Sequence, residues 1–253
     1  MQTKPIPLWS ELINENTQIE DVPDEKGWLH NVSNPSVVPF LPPAEIANNT
    51  GILIAPGGSY RILDWVSHVE RLAHFFNPLG YAVIGLKYRT CLSSNPVPTD
   101  ALADLHRGIS IVNSHAKEWH VDPERLVGLG YSAGSNLLLN HSCSNAEVYA
   151  NGDKISYLPY MALLCLWPHD KGAEEYNISS KVPNVFLCTT EEDEVAPISF
   201  THAIEEKMKQ VGVNTTTQSY PKGGHNAFNF KENGPKVDWT PAFLKWLRGH
   251  GLY

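Results

Sequence analysis

Leu126-Val-Gly-Leu-Gly-Tyr-Ser-Ala-Gly134 runs as an apolar strand directly into Gly-x-Ser-x-Gly and then into a helical pattern. Gly130 and Gly134 flank Ser132 at the spacing required where a strand reverses sharply into a helix, because side chains there would collide as the backbones cross. Such a turn leaves the Ser132 hydroxyl exposed at a helix N-terminus, where free N–H groups and the helix dipole favour negative charge. The stretch therefore reads as a nucleophile elbow, with Ser132 as the nucleophile.

The pattern around it is that of an α/β protein. Gly51–Ala55, Tyr81–Leu86, Leu126–Gly130, Met161–Leu166 and Asn184–Cys188 are short, continuously apolar runs, as expected of central parallel strands covered on both faces. Asn214–Tyr220 is a more polar strand, expected near an edge, and Val37–Leu41 reads as a second edge strand. After Thr99, Leu102, Leu105, Ile109, Val112, Ala116 and Trp119 recur at three- and four-residue steps, as a buried helical stripe does. Leu63, Val66, Val69, Leu72 and Phe76 predict an earlier helix, and Thr240-Pro241 opens a C-terminal one. Strands alternating with helices imply a mostly parallel sheet, with function at the carboxyl ends of its strands.

The 253 residues are read as one domain, residues 1–253, whose first 50 or so form an irregular, Pro- and Asn-rich lead-in. A net charge of −8 argues against nucleic-acid or anionic-membrane partners, which call for basic patches. The N-terminus lacks the apolar core of a signal peptide and no run approaches the length of a membrane span, so a cytoplasmic location is expected. Cys91, Cys143, Cys165 and Cys188 have no metal-ligand spacing and read as reduced thiols. No metal and no cofactor are implied, and nothing favours a particular oligomeric state.

A serine hydroxyl needs a base within hydrogen-bond reach, and the base needs an acid to fix its tautomer. Pro221-Lys-Gly-Gly-His225 follows the last strand, and its glycines let a tight loop carry His225 back to the sheet, making it the expected base. For the acid, Asp193 follows the run ending at Cys188, with Asp170 as a competitor after the preceding run. Glu191, Glu192 and Glu194 read as a solvated charged loop. Gly57-Gly58 after the first apolar run can aim N–H groups at a substrate carbonyl, which assigns Gly58, Ser59 and Ala133 to an oxyanion hole.

Pro56-Gly-Gly-Ser-Tyr60, Leu86-Lys-Tyr-Arg89, the helical stretch leading into Val121-Asp-Pro-Glu-Arg-Leu126, Gly130-Tyr-Ser-Ala-Gly134, Asp193-Glu-Val-Ala-Pro197 and Gly223-Gly-His225 together resemble α/β-hydrolases of the esterase/lipase superfamily. Within it the chain is more similar to acetyl-xylan-esterase-like carbohydrate esterases. The chain order Ser132, Asp193, His225 agrees with that resemblance. It implies an α/β-hydrolase fold and hydrolysis of short acyl esters, acetyl groups on carbohydrates foremost, through an acyl-enzyme. A peptidase, lactonase or thioesterase on the same three residues, an acyltransferase and a non-catalytic binding module are the alternatives. Ser59 and Ser135 stand where the group more often has glycine, and a donor at Ser59 is expected to survive if no positive φ is needed there. The short Trp167–Lys181 stretch predicts little or no cap over the site. Tyr60, Trp167 and His169 are then candidates to line the cleft for an oligosaccharide or small-molecule ester, and Arg89 reads as a structural ion-pair partner.

Overall fold

The apolar runs become the centre of an eight-stranded sheet in the computed structural model, which describes residues 4–9, 22–90, 99–144, 156–168 and 172–253. In chain order the strands are β1 (Ile6–Pro7), β2 (Trp28–His30), β3 (Ser36–Phe40), β4 (Gly51–Ala55), β5 (Ile62–Asp64), β6 (Ala82–Lys87), β7 (Leu126–Tyr131), β8 (Tyr160–Leu164), β9 (Asn184–Thr190) and β10 (Thr215–Tyr220). The main sheet runs β1-β3-β6-β4-β7-β8-β9-β10. All neighbours from β6 to β10 are parallel, and β1 and β3 are added antiparallel at one end. The interior strands β4 and β7 are buried at every residue, the reason they read as unbroken apolar runs rather than as alternating ones.

The helices are α1 (Arg71–Phe76), α2 (Thr99–Ser114), α3 (Ala133–Ser142), α4 (Ile198–Gln210) and α5 (Thr240–Gly249). Helix α2 packs against α3, whereas α1 meets α5 through Phe76 and Phe243, whose rings lie 5.9 Å apart. Phe243 and Trp246 continue that contact onto Phe186 of β9. Arg89, just past β6, donates to both oxygens of the fully buried Asp104 of α2 at 2.8–3.1 Å, and Trp9 Nε1 donates to the same carboxylate at 2.7 Å. One carboxylate thereby ties the lead-in, the sheet and α2 together. Between β8 and β9 the described residues hold a single 3₁₀ turn, Ala173–Glu175. None of the helices in the described residues is long and apolar enough to cross a membrane.

Three expectations need correction. The Val37–Leu41 run is not the outermost strand: β1 pairs with Ser36 and Val37 on its outer side, and β3 is buried at every residue. Leu63 lies in β5, not in a helix, because that strand pairs antiparallel with β2 in a separate two-stranded ribbon, and helical structure starts only with a π-helical turn at Val66–Glu70. Helix α2 ends at Ser114, and Ala116 and Trp119 are buried from the turns that follow it. Asn214–Tyr220 does become the opposite edge strand, β10.

Two buried histidines lie where α2 meets α3. His106 and His141 have ring centroids 4.8 Å apart, and neither nitrogen of His141 has a hydrogen-bond partner among the described residues. Burial pushes His106 down to about 4 and His141 down to about 3 from an ordinary 6.5. The unfolded chain binds these protons near 6.5 and the folded one does not, so their contribution to stability is intact above 6.5 and is lost as pH falls through 4 and 3. His141→Phe should therefore shift the acid-unfolding midpoint, followed by tryptophan fluorescence, to lower pH. An unmoved midpoint would assign acid sensitivity to other groups.

Candidate active site

The backbone at Ser132 has φ 50° and ψ −113°, a conformation that non-glycine residues rarely hold. It persists because its surroundings leave no alternative. A Cβ at Gly130 would sit 2.6 Å from the Ser135 nitrogen, and one at Gly134 would overlap the Ala55 carbonyl oxygen, so only glycine lets α3 start this close to β4. The Ser132 N–H donates to the Leu164 carbonyl at 2.9 Å. Ser135 does not crowd the turn; its hydroxyl lies 2.7 and 2.9 Å from the Gly130 and Leu164 carbonyls and fastens the elbow to β8.

His225 Nε2 lies 2.8 Å from Ser132 Oγ, and His225 Nδ1 lies 2.8 and 3.0 Å from the two Asp193 oxygens. Gly223 and Gly224, at φ 137° and 71°, make the loop reversal that carries His225 back over the strand ends. Asp193 Oδ1 also accepts the Ala196 and Val195 amides, at 2.7 and 3.0 Å. Burial raises the Asp193 carboxyl, but the hydrogen bonds from His225 and these amides outweigh it and hold the carboxyl below its usual range. Asp193 thus accepts from the imidazole as well as from two backbone amides. Cys165, buried against the same pair, donates its thiol to the His225 carbonyl at 3.2 Å, and burial pushes that thiol far above its usual range. Sγ of Cys165, a carboxylate oxygen of Asp193 and a ring nitrogen of His225 fall within 4.8 Å of one another, a grouping that linear spacing conceals.

The loop after β4 presents its amides to the same place. The Gly57 carbonyl accepts from Asp64 N–H, the Gly58 carbonyl from Arg61 and Ile62, and the Gly57 N–H donates to His68 Nδ1. The N–H groups of Gly58, Ser59 and Ala133 have no hydrogen-bond partner among the described residues. Gly58 has φ 137°, and a Cβ there would overlap the Ile62 carbonyl oxygen. Ser59 has φ 54°, so the condition attached to its donor is not met, yet the N–H is still offered: the tight Gly58–Ile62 turn holds Ser59 and Tyr60 alike in the left-handed region.

A cavity of about 150 Å³ opens beside Ser132 and His225, with Gly57–Ser59 on one wall and Trp28, Ile62 and Asp64 on another. Of the residues expected to line a cleft, Tyr60 is 1% exposed and lies outside the cavity. Its hydroxyl donates to Asn136 Oδ1 at 2.8 Å and its ring packs on Tyr88, so it is a packing residue. Trp167 also lies outside the lining; its ring sits 6.2 Å from Tyr60 and its carbonyl accepts from Asn136 Nδ2. His169 and the competitor Asp170 fall outside the described residues. Conversely, Trp28, Asp64, His68 and Asn229 line the cavity without having been singled out from the sequence. They stand on short or irregular segments with no periodic or motif signal.

Residues 40–160 match the BD-FAE family. The chain is 23% identical over 209 residues to endo-1,4-beta-xylanase B of Butyrivibrio fibrisolvens, covering 69% of this chain and 32% of that protein. It is 30% identical over 101 residues to an acetylxylan esterase of Xylanibacter ruminicola, covering 40% of this chain and 20% of the other. The chain thus spans a third or less of the length of these relatives. In structure it is similar to an acetyl ester-xyloside bifunctional hydrolase from Caldicellulosiruptor lactoaceticus, with a TM-score of 0.73 at 22% identity, covering 98% of this chain and 97% of that one. The chain has the α/β-hydrolase fold and resembles acetylxylan esterases.

The left-handed backbone at Ser59 carries a measurable cost. Relief of its strain by glycine, about 1–2 kcal/mol, is partly offset by the greater chain entropy of glycine when unfolded, about 0.5–1 kcal/mol. Ser59→Gly should leave stability in urea unchanged or raise it by up to about 1 kcal/mol. A clear loss would mean that the serine side chain holds the loop.

Proposed function

We propose that the chain is a serine esterase that hydrolyses short-chain acyl esters, with acetyl groups on carbohydrates as the substrate class. The observation that carries this reading is the unbroken hydrogen-bond chain from Ser132 Oγ through His225 to Asp193, set beside three amides with no partner among the described residues. In this mechanism Ser132 Oγ attacks the ester carbonyl while His225 Nε2 takes its proton, and Asp193 stabilises the imidazolium and holds Nδ1–H toward itself. The oxyanion is received by the Gly58, Ser59 and Ala133 N–H groups. Collapse of the tetrahedral adduct expels the alcohol, which takes the proton from His225. Water activated by the same imidazole then releases the acid from the acyl-enzyme.

Two observations support a small acyl group and a carbohydrate alcohol. The cavity beside Ser132 is about 150 Å³, below the several hundred Å³ of sites that enclose larger ligands. An acetylxylan esterase and an acetyl ester-xyloside hydrolase are among the proteins to which the chain is similar.

The test is turnover of a chromogenic ester series from acetate to octanoate alongside acetylated xylo-oligosaccharides. Acetate should be the fastest simple ester, and the sugar acetates should be cleaved. Ser132→Ala should abolish turnover, and Asp193→Asn should lower kcat by about 10⁴-fold. Octanoate hydrolysed faster than acetate would overturn the short-acyl assignment. Simple esters cleaved without sugar acetates would overturn the carbohydrate one.

A further inference from the structure

Beside the loop assigned to the oxyanion, on the lining of the same cavity, runs a polar chain of buried His68 and Asp64 and half-buried Asn229 that the mechanism above does not use. His68 sits on the π-helical turn before α1, 5% exposed, with its ring stacked 4.0 Å from that of Tyr131, the residue preceding Ser132. Its hydrogen bonds leave only one protonation pattern. The Gly57 N–H can only donate, so His68 Nδ1, 3.1 Å away, is an acceptor without a proton. The ring proton is then on Nε2, which donates to Asn229 Oδ1 at 3.0 Å. The Asp64 carboxylate can only accept, so it is the amide nitrogen of Asn229 that faces Asp64 Oδ2 at 3.0 Å. Polarity runs one way, from the Asp64 charge through an amide and an imidazole to the backbone of Gly57.

We infer that Asp64, Asn229 and His68 form a second relay that positions the Gly57-Gly58-Ser59 loop to receive the oxyanion. The inference rests on the esterase reading given above. The relay closes on itself, because the Asp64 N–H donates to the Gly57 carbonyl at 3.0 Å while its side chain reaches the Gly57 N–H through Asn229 and His68. Both backbone groups of Gly57 are thereby held, and the next two N–H groups remain unpartnered among the described residues. The ring is neutral, as the relay requires: burial pushes His68 below its usual range despite Asp64 Oδ2 lying 3.7 Å from Nε2. Asp64 Oδ1 is buried with no hydrogen-bond partner among the described residues, so the carboxylate is held toward Asn229 through Oδ2 alone. The three side chains act through Gly57 and are positioning residues.

His68→Phe keeps a ring against Tyr131 and removes the acceptor, whereas His68→Asn restores an acceptor oxygen near the place of Nδ1. With 4-nitrophenyl acetate, His68→Phe should lower kcat about tenfold or more with KM changed less than about twofold, and should weaken binding of a phenylboronic acid in parallel. His68→Asn should recover most of that loss. Unchanged kcat in His68→Phe, or a loss confined to KM, would overturn the relay. Asp64→Asn provides a test that does not require His68→Phe to fold, read by ¹⁵N NMR of the imidazoles. Wild-type His68 should show an unprotonated Nδ1, and in Asp64→Asn the proton should redistribute between the two nitrogens. An Nδ1 that is protonated in wild type, or a tautomer unaffected by Asp64→Asn, would also overturn it. A wild type inert toward every ester but showing the tautomer shift would sink the esterase reading and leave the relay standing.

Discussion

The reversal of the chain at Ser132 is tolerated only because no side chain stands at Gly130 or Gly134, and the rest of the site is arranged around that steric fact. Removing those two side chains lets α3 begin against the carbonyl of Ala55. The loop leaving β4 and the loop leaving β7 then emerge beside one another. Parallel pairing does the rest: Ala55 is level with Gly130, Leu164 with Tyr131, Cys188 with Leu164, and Tyr220 with Thr190. Consecutive strands therefore end at neighbouring heights, and their loops deliver the Gly57–Ser59 amides, Ser132, Asp193 and His225 to one place. Residues far apart in sequence converge because the sheet keeps its register, as ligand sites at the carboxyl ends of parallel strands do generally.

Much of this was legible because buried parallel strands and amphipathic helices write a short-range pattern into the chain. Ser132 and Asp193 follow apolar runs and His225 follows the more polar last strand, and the structure links Ser132 to His225 and His225 to Asp193 by hydrogen bonds. Gly58, Ser59 and Ala133 stand just after strands, and their amides have no partner among the described residues. What escaped was whatever depends on pairings that leave no period. β2 and β5 are three residues each, too short to show alternation, and Leu63 fitted a helical spacing that its pairing with Leu29 overrode. Tyr60 reads as a cleft residue because an aromatic face with a polar tip suits a sugar ring, yet Asn136, 76 positions later, draws its hydroxyl into the interior.

The Asp64–Asn229–His68 chain was illegible for the same reason in stronger form. His68 and Asn229 are 161 positions apart, and neither belongs to a motif. A local pattern can announce the loop that receives a charge. It does not announce the groups that hold that loop still, since those are recruited from whatever segment packs behind it. Positive φ at Ser59 belongs to this class, being imposed by the Gly58–Ile62 turn instead of by the serine.

The two strands of the small ribbon are under different constraints. Trp28 stands opposite Asp64 across β2 and β5, so a wall of the cavity comes from the lead-in, a stretch that supplies none of the groups aligned on Ser132. The side chain of Trp28 can therefore change this wall of the cavity without altering the spacing of serine, imidazole and carboxylate, whereas Asp64, directly across the ribbon, is tied to the backbone of Gly57. One strand of the ribbon is free to vary, and the other is held by the loop it supports.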